Sequence, residues 1–310
     1  MSHVLILGTG GTIAGTASDP NRQWAYRAAQ LSVEQLVAAV PELAHVPLAT
    51  KQVAQVDSKD MGWITWQALG HAIEEAMADE AVSAIVVTHG TDTLEETACL
   101  LHALHDGRKP IVLTAAMRPA SAPDADGPAN LAHAVKVAKA AAQRGEGGVV
   151  AALAGRVWSA RDVRKAHSHA IDAFDGGGAE PLDDLTSWPS PEARGWRVLL
   201  ETPFPPRVEL ITSHADADGW LLDAALAHVH ASGQALAGLV VACTGHGTVH
   251  EKLAQAMQRA RDAGVAVWRS SRTARGGVQP RDGDAWPAAG HWTPAQARVR
   301  LVLELISARP

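Results

Sequence analysis

The feature that most constrains this chain is a repeated alternation, in which short apolar runs are each followed by a longer stretch of helical periodicity. Runs such as Ala84-Ile85-Val86-Val87 show no polar alternation. They suit strands buried on both faces, as a parallel sheet requires. Strands are expected at 4–7, 84–88, 110–114 and 148–153, with helices at 32–40, 65–78, 94–105 and 130–143. Ser32 followed by Gln35 predicts a capping box opening the first helix. This order implies an α/β fold whose larger part is a doubly wound, mainly parallel sheet.

Between 186 and 206 the periodicity fails at Trp188-Pro189-Ser190-Pro191 and Pro203-Phe204-Pro205-Pro206. That segment reads as a linker. It divides an N-terminal α/β domain, 1–185, from a smaller flavodoxin- or Rossmann-like domain, 207–310. In the second domain, strands are expected at 208–212, 236–243 and 265–268, and helices at 221–230, 249–263 and 294–307. Thr293 and Pro294 make an N-cap and N1 pair for the last helix.

A chain of 310 residues that is 47% hydrophobic is long enough for two such cores. The net charge of −6, with both signs mixed along the chain, leaves no electrostatic footprint for nucleic acid or an anionic membrane. No apolar stretch approaches the roughly 20 residues of a membrane span. The N-terminus enters strand-like His3-Val4-Leu5 directly, without the pattern of a leader. A cytoplasmic location is expected, or a periplasmic one had a leader been removed. Cys99 and Cys243, each inside an apolar run, are expected as buried free thiols. The pairs His102/His105 and His167/His169 lack a third ligand at zinc-like spacing and read as surface or helix-face histidines. The ten tryptophans are scattered and suit packing rather than base stacking.

Three segments carry chemistry. Gly8-Thr9-Gly10-Gly11-Thr12-Ile13-Ala14-Gly15 follows the first strand, where glycines permit a tight turn at a strand end. A dinucleotide fingerprint fails there, because the third glycine position is Ile13 and 14–30 is polar and loop-like. Thr88-His89-Gly90-Thr91-Asp92-Thr93-Leu94-Glu95-Glu96-Thr97 lies at a second strand end. Thr93 with Glu96 reads as a capping box, which leaves Thr91 and Asp92 unexplained. Ala160-Arg161-Asp162-Val163-Arg164-Lys165 places a lysine after the strand at 148–153.

Taken with Ala116-Met117-Arg118-Pro119, Asp126-Gly127-Pro128, Asn130-Leu131 and Arg269-Ser270-Ser271-Arg272, these segments occur in a distinctive order and spacing. The chain resembles the bacterial L-asparaginase/glutaminase family from end to end. The resemblance implies an amidohydrolase that converts L-asparagine to L-aspartate and ammonia without metal or organic cofactor. It assigns Thr12 as nucleophile, Tyr26 as the tyrosine of a flap spanning about 18–28, and Thr91, Asp92 and Lys165 as a second triad. Ser58 matches the serine that holds the substrate's α-carboxylate, while Gly11, Gly90 and Ala116 line the pocket through their backbones. An alcohol attacks poorly until a neighbour takes its proton. Tyr26 can do this for Thr12, directly or through water, and Lys165 for Thr91. Asp92 either orients Lys165 or binds the substrate's α-ammonium. N–H groups of the glycine-rich turn are the natural oxyanion donors.

The match departs from the family in two places. Lys59 stands where Gln or Glu is common, so its ammonium either swings away or contacts the carboxylate, and weaker glutamine use is expected. In the second domain Thr248 replaces the Asn of a Gly-x-Gly-Asn turn, and 273–285 offers Asp282 and Asp284 in place of a Glu. Family resemblance implies a homotetramer, a dimer of dimers, with each small domain completing a neighbour's site. The competing readings are a glutaminase-asparaginase of broad amide preference and a catalytically impaired binder of acidic amino acids. No nucleic-acid or membrane partner is expected.

Overall fold

The structure, a computed structural model, describes residues 2–17, 26–182, 188–228, 233 and 235–308. The chain forms two compact units, Met1–Leu200 and Glu201–Pro310. The first contains β1 (His3–Gly10), β2 (Thr16–Ala17), β3 (Tyr26–Arg27), α1 (Val33–Ala38), β4 (Leu48–Val56), α2 (Trp63–Ala78) and β5 (Val82–Thr88). There follow α3 (Leu94–Leu104), β6 (Pro110–Thr114), α4 (Gly127–Gln143), β7 (Gly148–Leu153), β8 (Arg156–Ser159), β9 (Arg164–Lys165), β10 (Phe174–Asp175) and α5 (Arg197–Leu200).

Its main sheet has the order β4-β1-β5-β6-β7-β8. Every neighbouring pair is parallel except β7 and β8. On one face Val86, Val112 and Val150 pack with Leu131, Ala134 and Ala138 of α4. Ile85, Val87, Ile111 and Leu113 alternate to the other face and are wholly buried. Each such side chain contributes roughly 1.5–3 kcal/mol relative to exposure, which is why these runs tolerate no polar residue.

The strand order fixes where a site can form. From β1 the chain winds to β4 on one side, then crosses to β5 on the other. Winding therefore reverses between β1 and β5, and their carboxyl ends diverge into a crevice, the usual ligand position in open α/β sheets. Gly8 of β1 pairs with Thr88 of β5 at that end.

The strand β4 was not foreseen. Its sequence contains Lys51, Gln52 and Gln55, and it lies at the sheet edge with no residue fully buried. The Ser32–Gln35 capping box is present in full. The one expected from Thr93 and Glu96 is not, because the Thr93 hydroxyl donates instead to the Ser58 carbonyl at 2.8 Å. Residues 183–187, at the junction of the expected N-terminal domain and linker, lie outside those described. Ala193, Arg194 and Gly195 donate backbone N–H groups to the carbonyls of His105, Ala103 and Leu104, which closes the end of α3.

The second unit contains β11 (Arg207–Thr212), α6 (Trp220–Ala227), β12 (Leu236–Cys243), α7 (Glu251–Asp262), β13 (Ala266–Ser271) and α8 (Pro294–Ser307). Its three strands are parallel in the order β11-β12-β13. Leu239, Val241 and Cys243 of β12 pack with Leu222 of α6 and with Leu253 and Met257 of α7. Gly238 faces the opposite way, toward Leu301 and Leu305 of α8. Thr293, Pro294 and Gln296 complete the cap that starts α8. Residues 229 and 230, expected at the end of a helix, lie outside the described residues.

Candidate active site

The two strand-end loops touch through glycines. Gly11 has φ +81°, and a Cβ there would lie 2.4 Å from both Cα and N of Gly90. A Cβ on Gly90 would in turn lie 2.5 Å from Ser58 Oγ. No side chain fits at either contact, so the backbones of the two loops and the Ser58 hydroxyl meet directly. Thr12 follows the first glycine and Thr91 the second, and the contact therefore sets both threonines at one junction.

Thr12 begins a short 3-10 turn over Thr12–Ala14 and is 7% exposed. Its Oγ1 lies 2.7 Å from the Tyr26 hydroxyl. Tyr26 is placed by the pairing of β3 with β2, where it stands opposite Ala17. The stem of this hairpin is tied down at two points. Ala17 N–H donates to Ser121 Oγ at 2.8 Å, and Ala120 N–H donates to the Gly15 carbonyl at 2.9 Å. Of the expected flap, residues 18–25 lie outside those described.

The second group gathers around Lys165. Its ammonium donates to Thr91 Oγ1 at 2.9 Å and to Asp92 Oδ1 at 2.6 Å. The Lys165 side chain is 17% exposed and that of Asp92 56%, so the amine is withdrawn from solvent while its carboxylate partner stays open to it. Ser58, 2% exposed, sits in a 3-10 turn directly after β4. Its hydroxyl accepts the Asp92 N–H at 3.2 Å. The edge strand that the hydropathy pattern concealed is thus the element that delivers Ser58.

Lys59 does not face this group. Its ammonium pairs with Asp60 at 2.5 Å and with Asp57 at 3.4 Å, on a side chain that is 60% exposed. The hydrogen bond to Asp60 raises its pKa, and the nearby charge of Asp57 acts in the same direction.

Ala116 lies at the start of the loop after β6 and is buried. The Asp126 carboxylate accepts the N–H groups of Met117 and Arg118 at 3.0 and 2.9 Å. Asn130 donates to the Ala115 carbonyl at 2.9 Å and accepts the Ala154 N–H at 3.0 Å. Two polar residues near the start of α4 therefore shape the backbone around Ala116. The Gly11 N–H is already bonded to the Val56 carbonyl at 2.9 Å, which removes it as an oxyanion donor. The N–H groups of Thr12, Gly90 and Ala116 meet no protein acceptor among the described residues.

Beneath the second loop runs a chain of hydrogen bonds that motif reading missed. Trp66 Nε1 lies 2.9 Å from Thr97 Oγ1, which lies 2.9 Å from His89 Nε2. His89 Nδ1 in turn lies 2.7 Å from the Gly90 carbonyl. An indole N–H only donates and a carbonyl only accepts, so with a neutral imidazole each intermediate direction is fixed. Thr97 donates to His89, and His89 is the neutral tautomer with its proton on Nδ1. Complete burial lowers its pKa from 6.5 to about 4. The sequence signal was His89 beside Gly90 with Thr97 two helical turns on, all in the quoted motif.

The other titratable candidates have local roles. His102 and His105 are buried rather than on the surface. His105 accepts the Gly107 N–H and donates to the Lys109 carbonyl, closing a turn. The rings of His167 and His169 meet edge to face, 4.5 Å apart. Cys99 and Cys243 are free and buried, and burial pushes the Cys243 thiol up to about 11. Among the described residues no group of three or more His, Cys, Asp or Glu is arranged to hold a metal. In the second unit Thr248 exchanges backbone and hydroxyl hydrogen bonds with Thr244, and Asp284 pairs with Arg269 at 2.5 Å.

A family model described as asparaginase, N-terminal, matches residues 3–190. One described as glutaminase/asparaginase C-terminal domain matches residues 207–308. The chain is 35% identical over 321 residues to a glutaminase-asparaginase of Pseudomonas fluorescens biotype A, covering 98% of this chain and 86% of that protein. It is 35% identical over 324 residues to a probable periplasmic L-asparaginase of Haemophilus influenzae, covering 98% and 89%. The crystal structure of a probable cytoplasmic L-asparaginase from Campylobacter jejuni superposes with a TM-score of 0.87 at 31% identity, covering 98% of this chain and 95% of that one.

Proposed function

The chain belongs to the asparaginase family, and on that premise we propose that it hydrolyses L-asparagine to L-aspartate and ammonia, with Thr12 as nucleophile. One observation carries the reading. Two hydroxyl groups stand on touching loops, one 2.7 Å from a phenol and the other 2.9 Å from an amine.

Tyr26 takes the Thr12 proton as Oγ1 attacks the side-chain amide carbon. Lys165, oriented by Asp92, serves Thr91, whose hydroxyl moves the second proton. The tetrahedral oxyanion is met by backbone N–H groups of Thr12, Gly90 or Ala116, since that of Gly11 is committed elsewhere. One such donor contributes about 2.7–4 kcal/mol in the transition state. Ser58 holds the substrate's α-carboxylate. Ammonia departs, and water releases aspartate from Thr12. Every step is proton transfer or addition at a carbonyl, so the chemistry calls for no cofactor. We carry over from the resemblance a homo-oligomer, a dimer of dimers. Relatives are named for both periplasm and cytoplasm, so the family serves in either compartment.

The test is ammonia release from L-asparagine by the wild type, Thr12→Ala and Thr91→Val, each with its Tm recorded. Both variants are expected to lose roughly a hundredfold or more in kcat while remaining folded. A folded Thr12→Ala enzyme with wild-type turnover would overturn the assignment.

A further inference from the structure

Lys165 sits on β9, a strand of two residues, so its own ladder holds it weakly. We propose that Glu95 is a positioning residue that holds the Lys165 backbone against the loop bearing Thr91 and Asp92. The inference rests on the reading of Lys165 as a proton carrier.

The Lys165 N–H donates to Glu95 Oε2 at 2.8 Å, across 70 residues of sequence. Pairing with β10 sets Lys165 opposite Phe174 and Arg164 opposite Asp175. The next N–H groups, of Ala166 and His167, both turn to the Ala173 carbonyl. The Lys165 N–H points out of this hairpin toward α3. The hairpin is also braced from behind, where the Arg164 guanidinium lies 4.0 Å from the Asp175 carboxylate and against Gly177. A Cβ at Gly177 would fall 2.0 Å from Arg164 Cζ.

Glu95 lies in the first turn of α3, a place that favours a carboxylate because the helix dipole is positive there. Thr91 and Asp92 lie just ahead of the same helix start. One rigid segment therefore grips Lys165 three times, at its backbone through Glu95 and at its ammonium through Thr91 and Asp92. Proton transfer at 2.9 Å is sensitive to such placement, and a shift of about 1 Å can cost a hundredfold in rate.

The test compares wild type, Glu95→Ala, Glu95→Gln and Lys165→Met by steady-state ammonia release, with Tm for each. Gln keeps an oxygen acceptor for the Lys165 N–H and loses the charge. Glu95→Ala is expected to lower kcat by about tenfold to a hundredfold with KM changed less than about threefold. Glu95→Gln should recover most of that loss. A partly unfolded population also lowers apparent kcat at unchanged KM, so the comparison is scored with Tm showing each variant folded at the assay temperature. Wild-type kcat in Glu95→Ala overturns the inference, as does a Glu95→Gln enzyme that is folded and as slow as the alanine variant. Full turnover in Lys165→Met would instead remove the underlying reading of Lys165, which separates the two failures.

Discussion

At the scale of single residues, two side chains in the motifs behave differently from their surroundings. Lys59 stands where the family resemblance implies a Gln or Glu beside the substrate's amino group, yet its ammonium is drawn to Asp60 and Asp57. An ammonium kept at a distance neither repels nor assists the substrate, so this position contributes little to holding a longer amide in register. Lys59→Gln is therefore expected to raise the glutamine-to-asparagine ratio of kcat/KM by several-fold. A ratio unchanged within a factor of two would refute it. His89 makes a prediction about pH. Its pKa falls from 6.5 to about 4 because burial disfavours the cation. Below 6.5 the unfolded chain takes up a proton that the folded chain refuses, so folding stability drops as pH falls and levels off near 4. The full loss is roughly 3 kcal/mol. Over pH 7 to 4.5 the Tm of His89→Gln should fall less than that of the wild type, and equal falls would show that His89 does not carry the effect.

At the scale of elements, the touching loops after β1 and β5 make the sharpest demand on backbone. Alanine at Gly11 would have to hold a left-handed φ, at a cost of about 1–3 kcal/mol, and would overlap Gly90 as well. Gly11→Ala should lower Tm by several degrees and abolish turnover by parting the loops that bear Thr12 and Thr91. Wild-type Tm and rate together would contradict the contact. Such loops were legible in the sequence because their composition is dictated by close approach, and β1, β5, β6 and β7 because burial on both faces leaves an unbroken apolar run. The strand β4 escaped detection for the opposite physical reason, since at the sheet edge it mixes Thr50, Lys51, Gln52 and Gln55 among its apolar residues and carries no unbroken apolar run. Thr93 misled because a threonine at a helix start usually caps it, whereas here the Ser58 carbonyl offers a competing acceptor from a segment 35 residues away in sequence. Glu95 was invisible in the same way, because its partner is a backbone N–H that no residue pattern reveals.

At the scale of the whole molecule, the second unit holds the departures that the family resemblance implies, Thr248 and the pair Asp282 and Asp284, of which Thr248 and Asp284 are engaged locally. Thr248 closes its own turn with Thr244, and the Asp284 carboxylate is held by Arg269. Both contacts to the Asp284 carboxylate, from Arg269 and from the Arg281 N–H, fall on Oδ2. On the proposed homo-oligomer, we expect the second unit to complete a neighbour's site by shape, through exclusion of water, more than through Thr248 or Asp284. This changes what dissociation should do. Loss of a shaping surface weakens substrate retention before it harms chemistry, so on dilution KM for L-asparagine should rise while kcat changes little. Initial rates measured from micromolar to nanomolar enzyme, alongside sedimentation velocity over the same range, read this directly. KM should climb in step with the disappearance of the dimer. If KM and kcat both stay constant through complete dissociation, each chain holds a self-sufficient site and the oligomer has no part in catalysis.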